Sequence, residues 1–451
     1  MGDWAVPTLA VLLIAYGAFS SRLLTTPVTQ AMVFVSLGLL VGNRELHLVD
    51  AHVANHYVLY LAEATLALLL FSDAVRVDVG RLRREAAVPA RLLGIGLPLT
   101  IVAGTAVALL LFADLDPWVA AALATILAPT DAALGQPVVS NRRLPSRIRQ
   151  GLNVESGLND GVCVPLLIIF LTLAEAGEGT AHLEPVKVIV EEIGYGALAG
   201  AAAGLLGAGA LRSSTRRGWT TPVWTKINGV VTPALAYTTA VALGGSGFIA
   251  AFVAGLVFAA VAAGHAEQST TLAEQCGELL NATTFLLFGA VLLGPTLDVL
   301  DWRTATYAVL SLTLCRMLPV AVAMWGTGMR PQTVVFLGWF GPRGLASIVF
   351  GLLVVEETDL PERSQLLAVA TLTIALSVFL HGLTAWPGAR RYADWYAVTA
   401  DRGSMPESEP VRERRMRAGH QFRGEPATSS ASQDDPPVLP LRSEHGQAQD
   451  D

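Results

Sequence analysis

Charge is scarce in this sequence. Asp, Glu, Lys and Arg together make up 15% of the 451 residues, against 53% hydrophobic residues, and the mean hydropathy is +0.51. Soluble domains carry about a quarter charged residues, so the shortage excludes an ordinary water-soluble fold and leaves the integral membrane class. Cysteine is scarcer still. Cys163, Cys276 and Cys315 all lie in apolar stretches without paired spacing, which excludes a disulfide framework or a cysteine metal centre. The eight histidines form no spaced ligand set, and no phosphate-cradling glycine loop follows a strand. No enzyme constellation, no cofactor and no nucleic-acid partner are therefore expected. A basic segment ahead of the first apolar run is also missing, and Arg22 follows that run instead. The run reads as a retained helix rather than a cleaved leader.

What is present is a succession of apolar runs. Crossing a hydrocarbon layer of about 30 Å takes about 20 residues, and about thirteen runs qualify: 4–20, 27–42, 55–73, 88–113, 117–138, 150–174, 185–211, 227–243, 245–264, 272–293, 303–327, 331–354 and 364–387. The expected fold is all-α and membrane-embedded over residues 1–389. From 390 to 451 the composition turns to Arg, Glu, Ser, Gln, Asp and Pro, which predicts a disordered cytoplasmic tail. Lys and Arg should gather on the cytoplasmic side. With the N-terminus outside, the inner loops hold Arg22; Arg76, Arg81, Arg83, Arg84 and Arg91; Arg142, Arg143, Arg147 and Arg149; Arg212, Arg216, Arg217 and Lys226; and Arg330. The outer loops hold only Arg44, Lys187, Arg303 and Arg363.

Away from segment ends, the charged residues inside the spans are Glu63, Asp73, Asp131, Glu155, Asp160, Arg316 and Arg343. Each costs about 2.5–3.5 kcal/mol at a bilayer centre, so seven unpaired would cost about 20 kcal/mol, more than the usual net stability of about 5–15 kcal/mol. They must face one another or water. Pairing both arginines still leaves three carboxylates, and a buried unpaired carboxylate must bind a cation or hold a proton.

Two spans look interrupted, one in each half of the chain. The first reads Ala128-Pro129-Thr130-Asp131-Ala132-Ala133-Leu134-Gly135-Gln136-Pro137, with proline at both ends of a polar centre. The second reads Gly338-Trp339-Phe340-Gly341-Pro342-Arg343-Gly344. Paired broken helices point to a transporter's binding site, because freed carbonyls and helix ends can coordinate ions. In the sixth span, Glu155-Ser156-Gly157-Leu158-Asn159-Asp160 places Ser156 and Asp160 four apart on one face and Glu155 and Asn159 on the neighbouring face. Asp160 and the Ser156 hydroxyl could meet an ion together, leaving Glu155 to turn toward an arginine.

These residues resemble the electroneutral branch of the monovalent cation/proton antiporter superfamily, the bacterial and eukaryotic sodium/proton exchangers. The resemblance runs from about residue 5 to 387 and keeps the family's motif order. Leu70-Phe71-Ser72-Asp73 is similar to its Leu-Phe-acidic signature, Pro129-Thr130-Asp131 to its Thr-Asp in an unwound helix, and Glu155 to Asp160 to its Glu-Ser-x-x-Asn-Asp. Ser246 to Gly255 resembles its Ser-Gly-x-x-Ala pattern, Arg316 its eleventh-helix arginine, and Gly341-Pro342-Arg343-Gly344 its Gly-x-Arg-Gly loop. Ala132 departs from the family, which commonly has proline there; Gln136 and Pro137 are also unusual.

The resemblance implies thirteen helices in two inverted repeats, with discontinuous helices crossing at the ion site, a mobile core and a dimerising domain. Asp160 would be the principal carboxylate for cation and proton. Asp131, Thr130 and Ser156 would complete a sodium site, with Asp73 nearby. Asn159 would mark one-for-one electroneutral exchange. Glu155 would pair with an arginine as a structural brace, Arg316 being favoured and Arg343 the other candidate. The expected activity is exchange of sodium for a proton across the cell membrane by a homodimer in lipid. Lithium or potassium would suit the same residues. A passive cation channel and a sensor on the same fold are the rivals from other classes.

Overall fold

The computed structural model describes residues 5–23, 26–42, 51–76, 87–176, 183–262, 264–400 and 405–408. Every regular element among them is helical. Apolar surroundings cannot hydrogen-bond a backbone, so each segment must satisfy its own amides and carbonyls.

The first helices are α1 (Ala5–Leu23), α2 (Gln30–Val41) and α3 (Ala51–Val75). The Thr29 hydroxyl starts α2 by accepting from the Met32 amide at 3.3 Å. α4 (Ala87–Leu111) contains a π-helical stretch, Leu92–Gly96, just ahead of Pro98. α5 (Pro117–Ile126) begins where Asp116 accepts from the amides of Trp118 at 2.7 Å and Val119 at 3.3 Å. It ends before Pro129, and an irregular stretch leads to the single turn α6 (Gln136–Val139).

The longest helices follow. α7 (Ser146–Ala176) carries Glu155 to Asp160, and α8 (Leu183–Arg216) packs along α10 (Gly247–Ala262). Side chains at Gly196 and Gly204 of α8 would run into the carbonyls of Ser246 and Ala254, each 2.7 Å from a built Cβ. Close small-residue packing of this kind is how helices associate where lipid removes the hydrophobic incentive. Between α8 and α10 runs α9 (Pro222–Ala242), stopped by Gly244 at φ 78°. α11 (Ala266–Leu287) continues through a π-helical turn, Phe288–Leu293.

The last part holds α12 (Trp302–Leu312), α13 (Leu314–Ala323), α14 (Pro331–Trp339), α15 (Leu345–Glu357) and α16 (Arg363–Ala400). Among the described residues, six helices are long and apolar enough to cross a membrane, and several shorter apolar ones accompany them. The shorter pairs α5/α6 and α14/α15 belong to the two spans read as interrupted.

Two features differ from the sequence reading. The span 303–327, expected as one helix, bends at Thr313, where φ is −108° and ψ −85°. Pro319 is one turn beyond Cys315 and cannot donate to its carbonyl, which loosens that stretch. The second difference is at residue 390, the expected start of a disordered tail. α16 continues to Ala400, burying Tyr392 and Ala393, and Tyr392 stacks on Phe336 with ring centroids 4.2 Å apart. Met405 and Glu407 are buried as well. Glu407 accepts from the Arg330 amide and the Thr333 hydroxyl, both at 2.8 Å, at the start of α14. The remainder of the expected tail lies outside the described residues, as do Arg44, Arg81, Arg83 and Arg84.

Candidate functional site

The two interrupted spans meet at their breaks. In the first, the chain leaves α5 at Leu127 and runs through Pro129-Thr130-Asp131; in the second it leaves α14 at Phe340 and re-enters helix at Leu345. The Asp131 amide donates to the Pro342 carbonyl at 2.8 Å, joining break to break. Arg343, fully buried, donates to the carbonyls of Ala128 at 2.9 Å and Pro129 at 3.4 Å, just beyond the C-terminal end of α5. Asp131 answers in the opposite sense. One carboxylate oxygen accepts from the Ala133 amide at 2.7 Å, and the other lies 3.4 Å from the Leu345 amide, at the N-terminus of α15. Each break thus supplies the charge that the other's helix end favours, a cation near carbonyls and an anion near amides.

The breaks fit only because two positions lack side chains. A Cβ on Gly344 would fall onto the Asp131 carboxylate, and one on Gly341 would lie 2.7 Å from Arg316 Nε. The Asp131–Ala133 turn is held by the carboxylate itself, so this chain forms its break without a proline at Ala132.

α7 supplies the third wall. Thr130 Oγ1 lies 2.9 Å from Ser156 Oγ and accepts from Asn159 Nδ2 at 2.7 Å. Asn159, grouped with Glu155 by four-residue spacing, therefore joins Ser156 instead, since residues three apart also share a helix face. Glu155 forms an ion pair with Arg316 of α13, Oε1 to Nη1 at 2.6 Å, with 2% and 1% of the side chains exposed. Arg343, the other candidate for that pairing, takes the carbonyls of the first break.

Asp160 lines a small cleft with Asp131, Thr130, Pro129, Leu69 of α3 and the Gly344–Ala346 turn. The cleft walls offer two carboxylates and a hydroxyl, beside the non-helical backbone of a broken helix. Hard oxygen groups of this kind suit an alkali cation, and a carboxylate also takes a proton. Asp73 does not line the cleft and instead packs against α7. A Cβ at Gly157 would lie 3.5 Å from the Asp73 Cβ, and the Asp73 carboxylate is 3.8 Å from the Arg76 guanidinium. Arg76 in turn binds Glu274 of α11 at 2.6 Å, and Glu274 also accepts from Thr270 at 3.1 Å.

Sequence reasoning missed Glu274, Ser377, His381 and Glu407. A polar group inside an apolar span is itself a signal, and His381, 2% exposed within α16, carried that signal.

The sodium/hydrogen exchanger transmembrane family matches residues 9–389. A Mycobacterium tuberculosis H37Rv protein described as an uncharacterized Na(+)/H(+) exchanger is 28% identical over 308 residues, covering 61% of this chain and 54% of that protein. A probable Na(+)/H(+) antiporter of Schizosaccharomyces pombe is 24% identical over 254 residues, 53% of this chain and 33% of that one. The chain thus spans about half the length of the mycobacterial relative. Among solved structures, the sodium proton antiporter MjNhaP1 from Methanocaldococcus jannaschii at pH 8 superposes with a TM-score of 0.69 at 18% identity, covering 86% of this chain and 98% of that one. At that identity the likeness concerns the fold. The family match spans nearly all of the helical region, and on it the chain belongs to the sodium/hydrogen exchanger family of transmembrane proteins.

Proposed function

We propose that the protein is a secondary active antiporter that exchanges sodium for a proton, one for one, across the cell membrane by alternating access. The observation that carries this reading is the cleft where Asp131, Thr130 and Asp160 come together beside two broken helices. Sodium is the substrate, and it competes with a proton for the negative charge of Asp160. Either ligand neutralises the site and lets the core move; an empty, charged site is too costly to carry across lipid. Asp131, Thr130 and Ser156 complete the ion's oxygen shell. Asn159 steadies Thr130, and Asp73 stands on the approach, held by Arg76. Glu155 and Arg316 neutralise each other and brace the helices that carry the site.

The arginine distribution along the sequence supports an outside N-terminus and a cytoplasmic tail. The family resemblance supports a homodimer in the cell membrane. The test is dye quenching in everted vesicles with sodium, lithium and potassium in turn. Asp160→Asn is expected to abolish sodium-driven proton movement while leaving yield and melting temperature near those of the unaltered protein. Normal exchange by that variant would sink the assignment. Exchange unaffected by an imposed potential is expected for one-for-one coupling, whereas current under a potential without a pH gradient would identify a channel.

A further inference from the structure

We propose that Ser377 and His381 of α16 are positioning residues for cation binding, holding the second break in the conformation that orients Asp131. The inference rests on the antiport reading, in which Asp131 is part of the ion site.

Between Phe340 and Gly344 the backbone has left the helix, so its buried amides need acceptors from elsewhere. The Arg343 amide finds one in Ser377 Oγ at 2.7 Å. That hydroxyl lies 3.1 Å from His381 Nδ1, and the ring nitrogen is also 3.0 Å from the Ser377 carbonyl. The imidazole is held in turn by Trp339, the last residue of α14, with ring centroids 5.1 Å apart and planes at 33°. Trp339 Nε1 donates to Thr384 Oγ1 at 2.9 Å. Ser377, His381 and Thr384 follow a spacing of four and three, so one face of α16 grips the chain just before the break, at Trp339, and within it, at Arg343.

Packing glue between two helices would also use such contacts. What separates the two roles is the identity of the atoms held. Pro342, one residue before Arg343, accepts the Asp131 amide, and Leu345, two residues after, approaches the Asp131 carboxylate. The Arg343 side chain meanwhile holds Ala128 and Pro129. A displaced residue 343 therefore moves backbone on both sides of the ion's carboxylate. Loss of the bracket should weaken cation binding before it slows turnover.

The experiment measures sodium-dependent proton exchange in proteoliposomes for the full chain, with melting temperature recorded for each variant. Ser377→Ala and His381→Leu are expected to raise the half-saturating sodium concentration about tenfold, the scale of one buried hydrogen bond, with maximal rate within about twofold. His381→Asn places an amide group, whose two ends can donate or accept, near the position of Nδ1 and is expected to recover most of that loss. Ser377→Ala removes one atom and decides the matter should His381→Leu fail to fold. A half-saturation unchanged in Ser377→Ala, with exchange otherwise normal, would overturn this inference alone. So would equal effects of Leu and Asn at 381, or a fall in maximal rate and melting temperature with half-saturation unmoved. Absence of exchange by the unaltered protein would overturn the antiport reading and this inference with it.

Discussion

Two carboxylates on one turn and a half of α7 meet opposite fates. Glu155 is sealed from solvent and locked to Arg316 at 2.6 Å, whereas Asp160, five residues on, lines a cleft shared with Asp131 and the broken helices. The residue class and the helix are the same, and only the neighbours differ. A buried charge with a fixed counter-charge is a strut: it costs desolvation and holds its helices in register. A carboxylate facing oxygen groups in a cleft can exchange one cation for another. On the proposed antiport reading, the pair teaches that intramembrane charge alone does not distinguish an ion ligand from a strut; the chemistry of the cleft wall beside it does.

The comparison is most easily broken at the strut. Glu155→Gln leaves the Arg316 charge buried without its partner, and stability is expected to fall by about 3–5 kcal/mol, read as a lower melting temperature in detergent. Replacing both with apolar residues, Glu155→Leu with Arg316→Met, should recover most of it. Unchanged melting in Glu155→Gln would remove the distinction between the two carboxylates.

Next in size is Gly344→Ala. Its methyl would occupy the place of the Asp131 carboxylate, and misplacing a ligand group by about 1 Å can cost about a hundredfold. Exchange is expected to drop on that scale while the yield of folded protein holds. A variant that transports normally would show that Asp131 is free to move without consequence.

Thr130→Val tests the wall between the two regions. It deletes the hydroxyl shared by Ser156 and Asn159, leaving buried polar atoms unmatched at about 1–3 kcal/mol. Sodium half-saturation should rise by about tenfold, with Thr130→Ser close to the unaltered protein.

The smallest effect is expected far from the cleft. Glu407→Ala removes the carboxylate that caps the start of α14, worth about 1 kcal/mol, and should lower the melting temperature with little change in ion preference. A large shift in ion preference would mean that the segment after α16 reaches the site.

Much of the architecture is legible in the sequence, because lipid makes strong demands of a chain. Proline and glycine clusters at 128–137 and 338–344 locate both breaks, and the breaks are where α5 and α14 end. Periodicity places Ser156 on the same helix face as Asp160, but it sets Asn159 with Glu155, because a helix offers neighbours at both three and four residues. The bend at Thr313 is marked only by Pro319, and a lone proline inside a membrane span is too common to locate a break. Residues 390–400 are grouped with the polar tail that follows them, although they include Tyr392, Trp395, Tyr396 and Val398. Tyr392 nevertheless finds an aromatic partner in Phe336, on a different helix, and no local window contains both.

The sequence by itself determined that this chain lives in a membrane, where its helices are interrupted, and which side chains are too polar to face lipid. Those properties depend on composition and on neighbours a few residues apart, and the cost of desolvation acts on them directly. Only the tertiary structure decided that Glu155 takes Arg316, that Arg343 takes the carbonyls of the first break, and that Ser377 and His381 hold the second. Pairings of that kind depend on which helix ends are brought within about 3 Å of each other, a distance that packing sets and that no stretch of sequence encodes alone.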